Sequence, residues 1–366
     1  MPEYILTACD LHDKTLVLKI ARGMEPPQQR TFHNDPDGRT ALVAELRRRA
    51  AQAGGAQVVF AYEASGQGFG LYDQLIQEGF TCYVLAPTRI ERSAKHRRAK
   101  NDRQDALRIL ELLRGHVLAG NPLPAVWIPD RQTRDDRELL RAHLDAGEKL
   151  TRLKVQVQSL LKRNQVRHPP EVAKGWTSGH RQWLQQLTRS TESSLGPGGR
   201  TVLKSLLAQM EALEHEMDEL KQAVSKLART RRYARLAKAL EALPGVGLIT
   251  AMVYLTEMGD LNRFQNRRQV AAYLGLVPSS NESGQQDDRK GHITRQGPRR
   301  LRKVLCQAFW AQQRADPASR ATYQRQVRRN PKHKKIAVVA GMRRLGVRLW
   351  HKGLEASRPP GRKAAG

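Results

Sequence analysis

Gln57-Val-Val-Phe-Ala-Tyr-Glu63 is the stretch on which the front of this chain turns: an unbroken apolar run, rich in β-branched and aromatic residues, closing on an acid. Such a run reads as a β-strand. Upstream, Tyr4–Cys9 and Thr15–Ile20 read the same way, and the first of them also closes on an acid, Asp10. Downstream, Cys82–Ala86 supplies a fourth strand. Between them Gly38–Ala53 and Gly70–Gln77 keep helical periodicity. Two early strands, a helix, then strand, helix and strand predict a mixed sheet covered by helices, an α/β domain. From Asp102 to Leu113 the spacing turns helical again, with Ala106, Ile109, Leu110 and Leu113 on one side. The break Asn121-Pro122-Leu123-Pro124 ends this domain, set at residues 1–120.

Residues 121–235 read as a helical, coiled-coil linker domain. Leu140, Leu144, Leu153, Val157 and Leu160 keep helical spacing until Pro169-Pro170. After a Ser/Gly/Pro-rich loop, Leu203, Leu206, Met210, Leu213, Met217, Leu220, Val224 and Leu227 alternate steps of three and four. That is a coiled-coil seam, which an antiparallel hairpin, a second subunit or burial within one subunit can each satisfy. Residues 236–355 read as a mostly helical domain. Its Pro244-Gly245-Val246-Gly247 turn, between two helical patterns, resembles a helix–hairpin–helix, which leaves backbone N–H groups of Gly245 and Gly247 for a phosphate. A plain packing turn fits the same residues. Further helices are predicted at Arg299–Arg314 and Ile336–Trp350, and residues 356–366 form a disordered basic tail.

The charge points to the partner. The 366 residues carry 64 Lys+Arg against 35 Asp+Glu, a net charge of +29. Residues 1–120 contribute +3, residues 121–235 +8 and residues 236–366 +18. An excess this large, concentrated in one segment, predicts a polyanionic partner, most simply nucleic acid. The 39% hydrophobic content and clear periodicity exclude wholesale disorder, and 5% aromatics argue against a single-strand stacking platform. Cys9, Cys82 and Cys306 follow no zinc or disulfide spacing, and no run reaches 18 apolar residues. The expectation is a soluble, cytoplasmic protein that does not engage a membrane.

Four acids suggest chemistry. Asp10 and Glu63 end strands, and Asp102 and Asp105, three apart at the start of a helix, face one side. Carboxylates converging from strand ends and a facing helix repel unless divalent cations fill the space, and Mg²⁺ or Mn²⁺ suits such oxygens beside a phosphate. Taken singly, each acid also fits a plain role, as a helix N-terminal acid or a loop acid. Asp13 competes with Asp10 as the less buried candidate. The basic segment 89–100, with Arg97, Arg98 and Lys100, is placed to flank an entering strand, or forms a solvated loop.

Further along come Arg263-Phe264, Leu274-Gly-Leu-Val-Pro278, Glu282-Ser283-Gly284, and Gly297 leading to Leu301-Arg302. Composition does not select a nucleophile among Ser279, Ser280 and Ser283. With these motifs, the Asp10 strand, Glu63-Ala-Ser-Gly66 and Lys100-Asn-Asp-Arg-Gln-Asp-Ala106, nearly the whole chain resembles the DEDD transposases of the insertion-sequence-110 type. That family is regarded as bridge-RNA-guided recombinases and is related to site-specific DNA invertases. The resemblance implies a RuvC-like, ribonuclease-H-type first domain with Asp10, Glu63, Asp102 and Asp105 as the metal-binding tetrad. It implies Ser283 as the nucleophile of a phosphoserine link to DNA, and a serine-bearing transposase domain at 236–355. It further implies double-stranded DNA at element ends and target, a non-coding guide RNA, and a homo-oligomer, a dimer or tetramer whose subunits share the site. Two departures stand out: Ala-Cys-Asp-Leu-His where the family often has Gly-Ile-Asp, and Ser65 in place of a common Thr. Arg295, Arg299, Arg300 and Arg302 are the candidates for phosphate contacts. A hydrolytic RuvC-like junction nuclease and a non-catalytic basic nucleic-acid-binding protein are the alternatives.

Overall fold

The computed structural model describes residues 3–90, 102–173, 175–191, 194–280 and 290–358, the side chains of 102–104, 280 and 290 excepted. The chain divides into two compact units, Met1–Ile128 and Pro129–Gly366.

The first unit is a five-stranded sheet in the order β3-β2-β1-β4-β5. Its strands are β1 (Tyr4–Leu11), β2 (Thr15–Arg22), β3 (Gln28–His33), β4 (Gln57–Glu63) and β5 (Thr81–Leu85). β1, β2 and β3 pair antiparallel, whereas β1–β4 and β4–β5 pair parallel. The helices are α1 (Pro36–Gln52), α2 (Gly70–Gln77) and α3 (Asp102–Ala119). The four strands expected from the sequence all form. β3 was not legible there: Gln28-Gln-Arg-Thr-Phe-His33 lies at the sheet edge, mostly exposed, so it lacks an apolar run.

Residue parity sorts the sheet's two faces. Ile5, Cys9, Leu16, Leu18, Val58, Phe60 and Tyr62 pack with Leu42 and Leu46 of α1 and Leu71 and Leu75 of α2. Leu6, Ala8, Val59, Ala61 and Leu85 pack on the opposite face with Ile109, Leu110 and Leu113 of α3. Burial on both faces is why Val58–Tyr62 reads as one continuous apolar run. α3 outruns its expected end at Leu113, and the Pro-containing break ends the helix but not the unit. Beyond it Ala86 N–H donates to the Pro124 carbonyl (2.9 Å) and Val126 N–H to that of Val84 (2.8 Å). Residues 121–128 thus stay with β5, eight residues past the boundary expected at 120.

In the second unit α4 (Arg131–Arg163) and α6 (Pro197–Ala228) form an antiparallel hairpin carrying α5 (Ser178–Leu187). With 33 residues, α4 is about 50 Å long at 1.5 Å per residue. Asp130 caps it, accepting the Thr133 N–H at 2.8 Å. All eight seam residues of α6 lie in or against cores shared with α4, so the seam is satisfied within this chain.

The remaining helices are α7 (Ala234–Glu241), α8 (Leu248–Met258), α9 (Arg267–Tyr273), α10 (Arg299–Ala315), α11 (Pro317–Arg329) and α12 (Lys334–Ser357), with a small hairpin of β6 (Pro278–Ser280) and β7 (Lys290–Ile293). α8 is buried from Ala251 through Met258, and α7, α10 and α12 pack in the same core. Leu140, Leu144, Val224 and Ala228 belong to that core too, so apolar packing runs across the boundary expected at residue 235. The tail set at 356–366 begins inside α12, which runs to Ser357; residues 359–366 lie outside the described residues. Among the described residues no helix is long and apolar enough to cross a membrane.

Candidate active site and nucleic-acid interface

β1 and β4 run parallel with Ala8 opposite Ala61 and Cys9 opposite Tyr62, which sets Asp10 level with Glu63 on the neighbouring strand. Adjacent strands lie ~4.8 Å apart. By parity both acids belong to the Leu6, Ala8, Val59 and Ala61 face, the face that α3 covers. The direction of α3 follows from Arg114 near its C-terminal end. The Arg114 guanidinium donates to the Gly23 carbonyl (3.1 Å) and to that of Glu25. Gly23 bonds to Tyr4, at the start of β1. α3 therefore runs antiparallel to β1, and its N-terminal end lies at the sheet end that carries Asp10 and Glu63. Asp105, four residues before Ile109, is half-buried there, with Arg108 Nη1 3.7 Å from its carboxylate. Asp102 begins the helix four residues before buried Ala106, and its side chain lies outside the described residues.

The sequence reading missed His12. It follows Asp10 by two residues, and its Nε2 stands 3.1 Å from Asp10 Oδ2. The period-two spacing of a strand was the available signal. Asp13 is exposed in the β1–β2 turn, where its Oδ1 accepts from Gln67 Nε2 at 2.9 Å. Gln67 in turn accepts from Asn34 at 2.7 Å, so Asp13 belongs to a loop network rather than to the α3 face. Among the described residues no three His, Cys, Asp or Glu side chains form a group able to hold an ion. Asp10, Glu63 and Asp105 thus lie at the same end of one layer without closing into such a group; their carboxylate oxygens are of the donor type that a hard divalent cation takes. Arg97, Arg98 and Lys100 lie outside the described residues.

In the second unit the Pro-Gly-Val-Gly turn joins α7 to α8 as expected, but its glycines divide the work. Gly245 has φ +81, and a Cβ there would lie 2.4 Å from Gln312 N and 2.6 Å from Ala308 O on α10. The bare Cα of Gly245 lets two backbones meet. Gly247 is exposed at the start of α8, where no side chain caps the helix.

The four arginine candidates separate similarly. Arg300 Nη2 donates to both oxygens of Asp145 on α4, at 2.9 and 2.8 Å, and is thereby committed within the chain. Arg302 Nη1 donates to the carbonyls of Leu274 (3.3 Å) and Gly297 (3.0 Å). Burial and the nearby charges of Arg295 and Arg299 lower its pKa. Arg295 and Arg299 are exposed. Ser279 Oγ donates to the His292 carbonyl at 2.9 Å across the β6–β7 hairpin; Ser283 lies outside the described residues.

A cleft of about 470 Å³ opens beside these arginines, lined by Arg137, Arg141, Glu257, Tyr273, Arg299 and Lys303 among others. Buried Glu257 is held by Arg141 Nε at 3.1 Å, and Tyr273 Oη donates to its carbonyl at 2.8 Å. Arg263 lies over the rings of Phe264 (4.1 Å to the centroid) and Tyr273 (4.4 Å), so Arg263-Phe264 is a packing unit.

Known proteins share both halves. The IS110-type DEDD transposase profile matches residues 10–165, and the profile described as "Transposase IS116/IS110/IS902 family" matches residues 237–324. The "Putative transposase" y4rJ of Sinorhizobium fredii is 30% identical over 340 residues, 87% of this chain and 83% of that protein. Its namesake y4qE, from the same organism, is 33% identical over 253 residues, 69% of this chain but only 58% of y4qE. The transposase for insertion sequence element IS1533 of Leptospira borgpetersenii is 24% identical over 250 residues, 68% of this chain and 69% of the relative. With two profiles matched in order along one chain and a relative aligned over most of both lengths, the protein belongs to the IS116/IS110/IS902 family of transposases.

Proposed function

We propose that this chain cuts and rejoins DNA strands to excise and integrate its own element, through Ser283 and an acidic site of Asp10, Glu63, Asp102 and Asp105. The observation that carries the reading is the placement of Asp10 beside Glu63 at the sheet end where α3 begins. The strand order, three antiparallel strands followed by two parallel ones, supports a RuvC-like, ribonuclease-H-type domain.

Asp10, Glu63, Asp105 and Asp102 are the residues that would hold Mg²⁺ or Mn²⁺. When bound, the cation supplies a positive charge to stabilise phosphate oxygens during phosphoryl transfer. His12 orients the Asp10 carboxylate from 3.1 Å. In the reaction Ser283 Oγ forms an ester bond to a DNA phosphorus as the bond from that phosphorus to one sugar oxygen breaks. The departing oxygen leaves as a hydroxyl, taking up a proton equivalent to the one serine loses. Reversal on a second strand end rejoins DNA without ATP, because the phosphodiester energy is kept in the serine ester. Guidance by an element-encoded RNA, and assembly of a homo-oligomer that shares the site, complete the reading.

The test is a denaturing gel of protein, element-end DNA, flanking RNA and Mg²⁺, with wild type beside Ser283→Ala and Asp10→Asn. A protease-sensitive DNA adduct in wild type and in neither variant is the expected result. Cleavage without an adduct, unchanged in Ser283→Ala, would replace the serine step with hydrolysis. No cleavage at all, with binding intact in every variant, would leave a binding protein.

A further inference from the structure

The C-terminal helices are strongly basic. Residues 317–358 hold twelve Lys and Arg and a single acid, Glu355. α12 brings three of these arginines together with two from α9. Gly346 lies between the arginines of α12, and a Cβ there would stand 2.5 Å from Leu274 Cδ1 at the end of α9. Its bare backbone lets α9 seat directly on α12. The approach sets Arg267 and Arg268 of α9 around one recess with Arg343, Arg344 and Arg348 of α12, a space of about 420 Å³.

Among the described residues only Val347 lines the recess besides these five arginines, and no carboxylate does. Arg267, Arg268, Arg344 and Arg348 are exposed and Arg343 is half-buried. Among the described residues Arg344 Nη2 reaches Gln326 Oε1 at 3.2 Å, and Arg348 acts on Asp316 through charge. This contrasts with the face formed by α4 and α10, where Arg300 meets Asp145 and Lys303 meets Glu148. Arg344 and Arg348, four apart on one helix, repel each other in the free protein. A polyanion relieves that repulsion, and guanidinium forks match phosphate oxygens.

The geometry points to this α9–α12 recess as a binding site for the phosphate backbone of a nucleic-acid duplex, built from residues other than the acids and the serine of the proposed reaction. The site rests on the reading of the chain as a protein that acts on nucleic acid. It reads charge and backbone shape, not bases, and fixes the position of a duplex on the second unit.

The experiment measures affinity against salt for the full chain with a short duplex DNA and, separately, a duplex RNA of the same sequence. The variant is Arg268→Gln/Arg344→Gln/Arg348→Gln. Its control is Arg30→Gln/Arg47→Gln/Arg48→Gln, which removes equal charge from exposed positions in the first unit. The proposal expects the logarithmic salt slope to shallow by up to ~3 in the recess variant, ~0.9 for each DNA phosphate no longer neutralised, with little change in the control. A weakening confined to the DNA arm or to the RNA arm supports the site and names its duplex. A recess variant with the wild-type slope, or one that falls no further than the control, overturns the site while the functional reading stands. Wild-type protein that binds neither duplex overturns both. Unchanged thermal melting of the two variants shows that folding is not the cause.

Discussion

Asp10 and Glu63 face the same layer from adjacent parallel strands, one residue beyond the Cys9–Tyr62 pair. Two carboxylates held that close by a rigid sheet repel each other. Asp10→Asn and Glu63→Gln are therefore expected to leave the melting temperature unchanged or slightly raised, while lowering DNA cleavage by more than ~100-fold. Mg²⁺ should raise the melting temperature of wild type and do so less in Asp10→Asn. Scanning fluorimetry with and without Mg²⁺ reads this independently of activity, and equal Mg²⁺ shifts in the two proteins would remove Asp10 from the proposed metal-binding residues.

In the proposed site His12 acts through Asp10, as a positioning residue. His12→Asn is expected to reduce cleavage ~10-fold, the low end of the range for outer-shell partners, and to weaken the Mg²⁺-dependent melting shift. A variant with normal Mg²⁺ response and normal rate would show the 3.1 Å contact to be incidental.

The two glycines of the α7–α8 turn should behave oppositely. Gly245→Ala places a methyl against the α10 backbone at a left-handed φ, and should cost about 3 kcal/mol in denaturant unfolding. Gly247 has φ −102 and nothing within 4 Å of the added carbon, so Gly247→Ala should be close to neutral. Equal destabilisation at both positions would contradict the packing role assigned to Gly245.

Histidines set the pH response near neutrality. Burial, with the nearby charge of His168, lowers the pKa of His180 below its ordinary 6.5. Burial likewise lowers His143. The folded state then binds fewer protons than the unfolded one between the depressed pKa values and 6.5. Stability is complete above that window and falls as pH drops through it. Melting curves from pH 7.5 to 5 should show this decline, and it should shrink in His143→Gln/His180→Gln.

A second decline is expected under strong acid. Burial opposes ionisation of Asp130, but the Arg232 guanidinium and the bonds from Thr133 outweigh it and hold the carboxyl at about 2. The stabilisation this ion pair gives is present above the ordinary 3.8 and is lost as pH falls toward 2. Asp130→Ala removes the cap of α4 as well, at a cost of about 1 kcal/mol at neutral pH. If the variant retains the wild-type acid midpoint, Asp130 is not the group that titrates.

The sequence alone determined the strands that carry Asp10 and Glu63, the long helices of the second unit and the basic bias of the last third. Each is a local signal: an apolar run, a repeat of three and four, a charge count. Edge strand β3 escaped because its exposed faces impose no apolar pattern, and the boundary between units lies past Pro124 because backbone bonds to β5 do not show in composition. Only the tertiary structure decided which charges are occupied. Arg299 and Arg300 are neighbours in the chain, yet one is exposed and the other is tied to Asp145, 155 residues away. Similarly, the packing of Gly245 against α10 shows only in the tertiary structure, and five arginines from α9 and α12 become one recess only through the close approach at Gly346. Local energies fix which element forms. Which partner a charge or a bare backbone meets depends on residues far apart in the chain, and no window of sequence contains both sides of such a meeting.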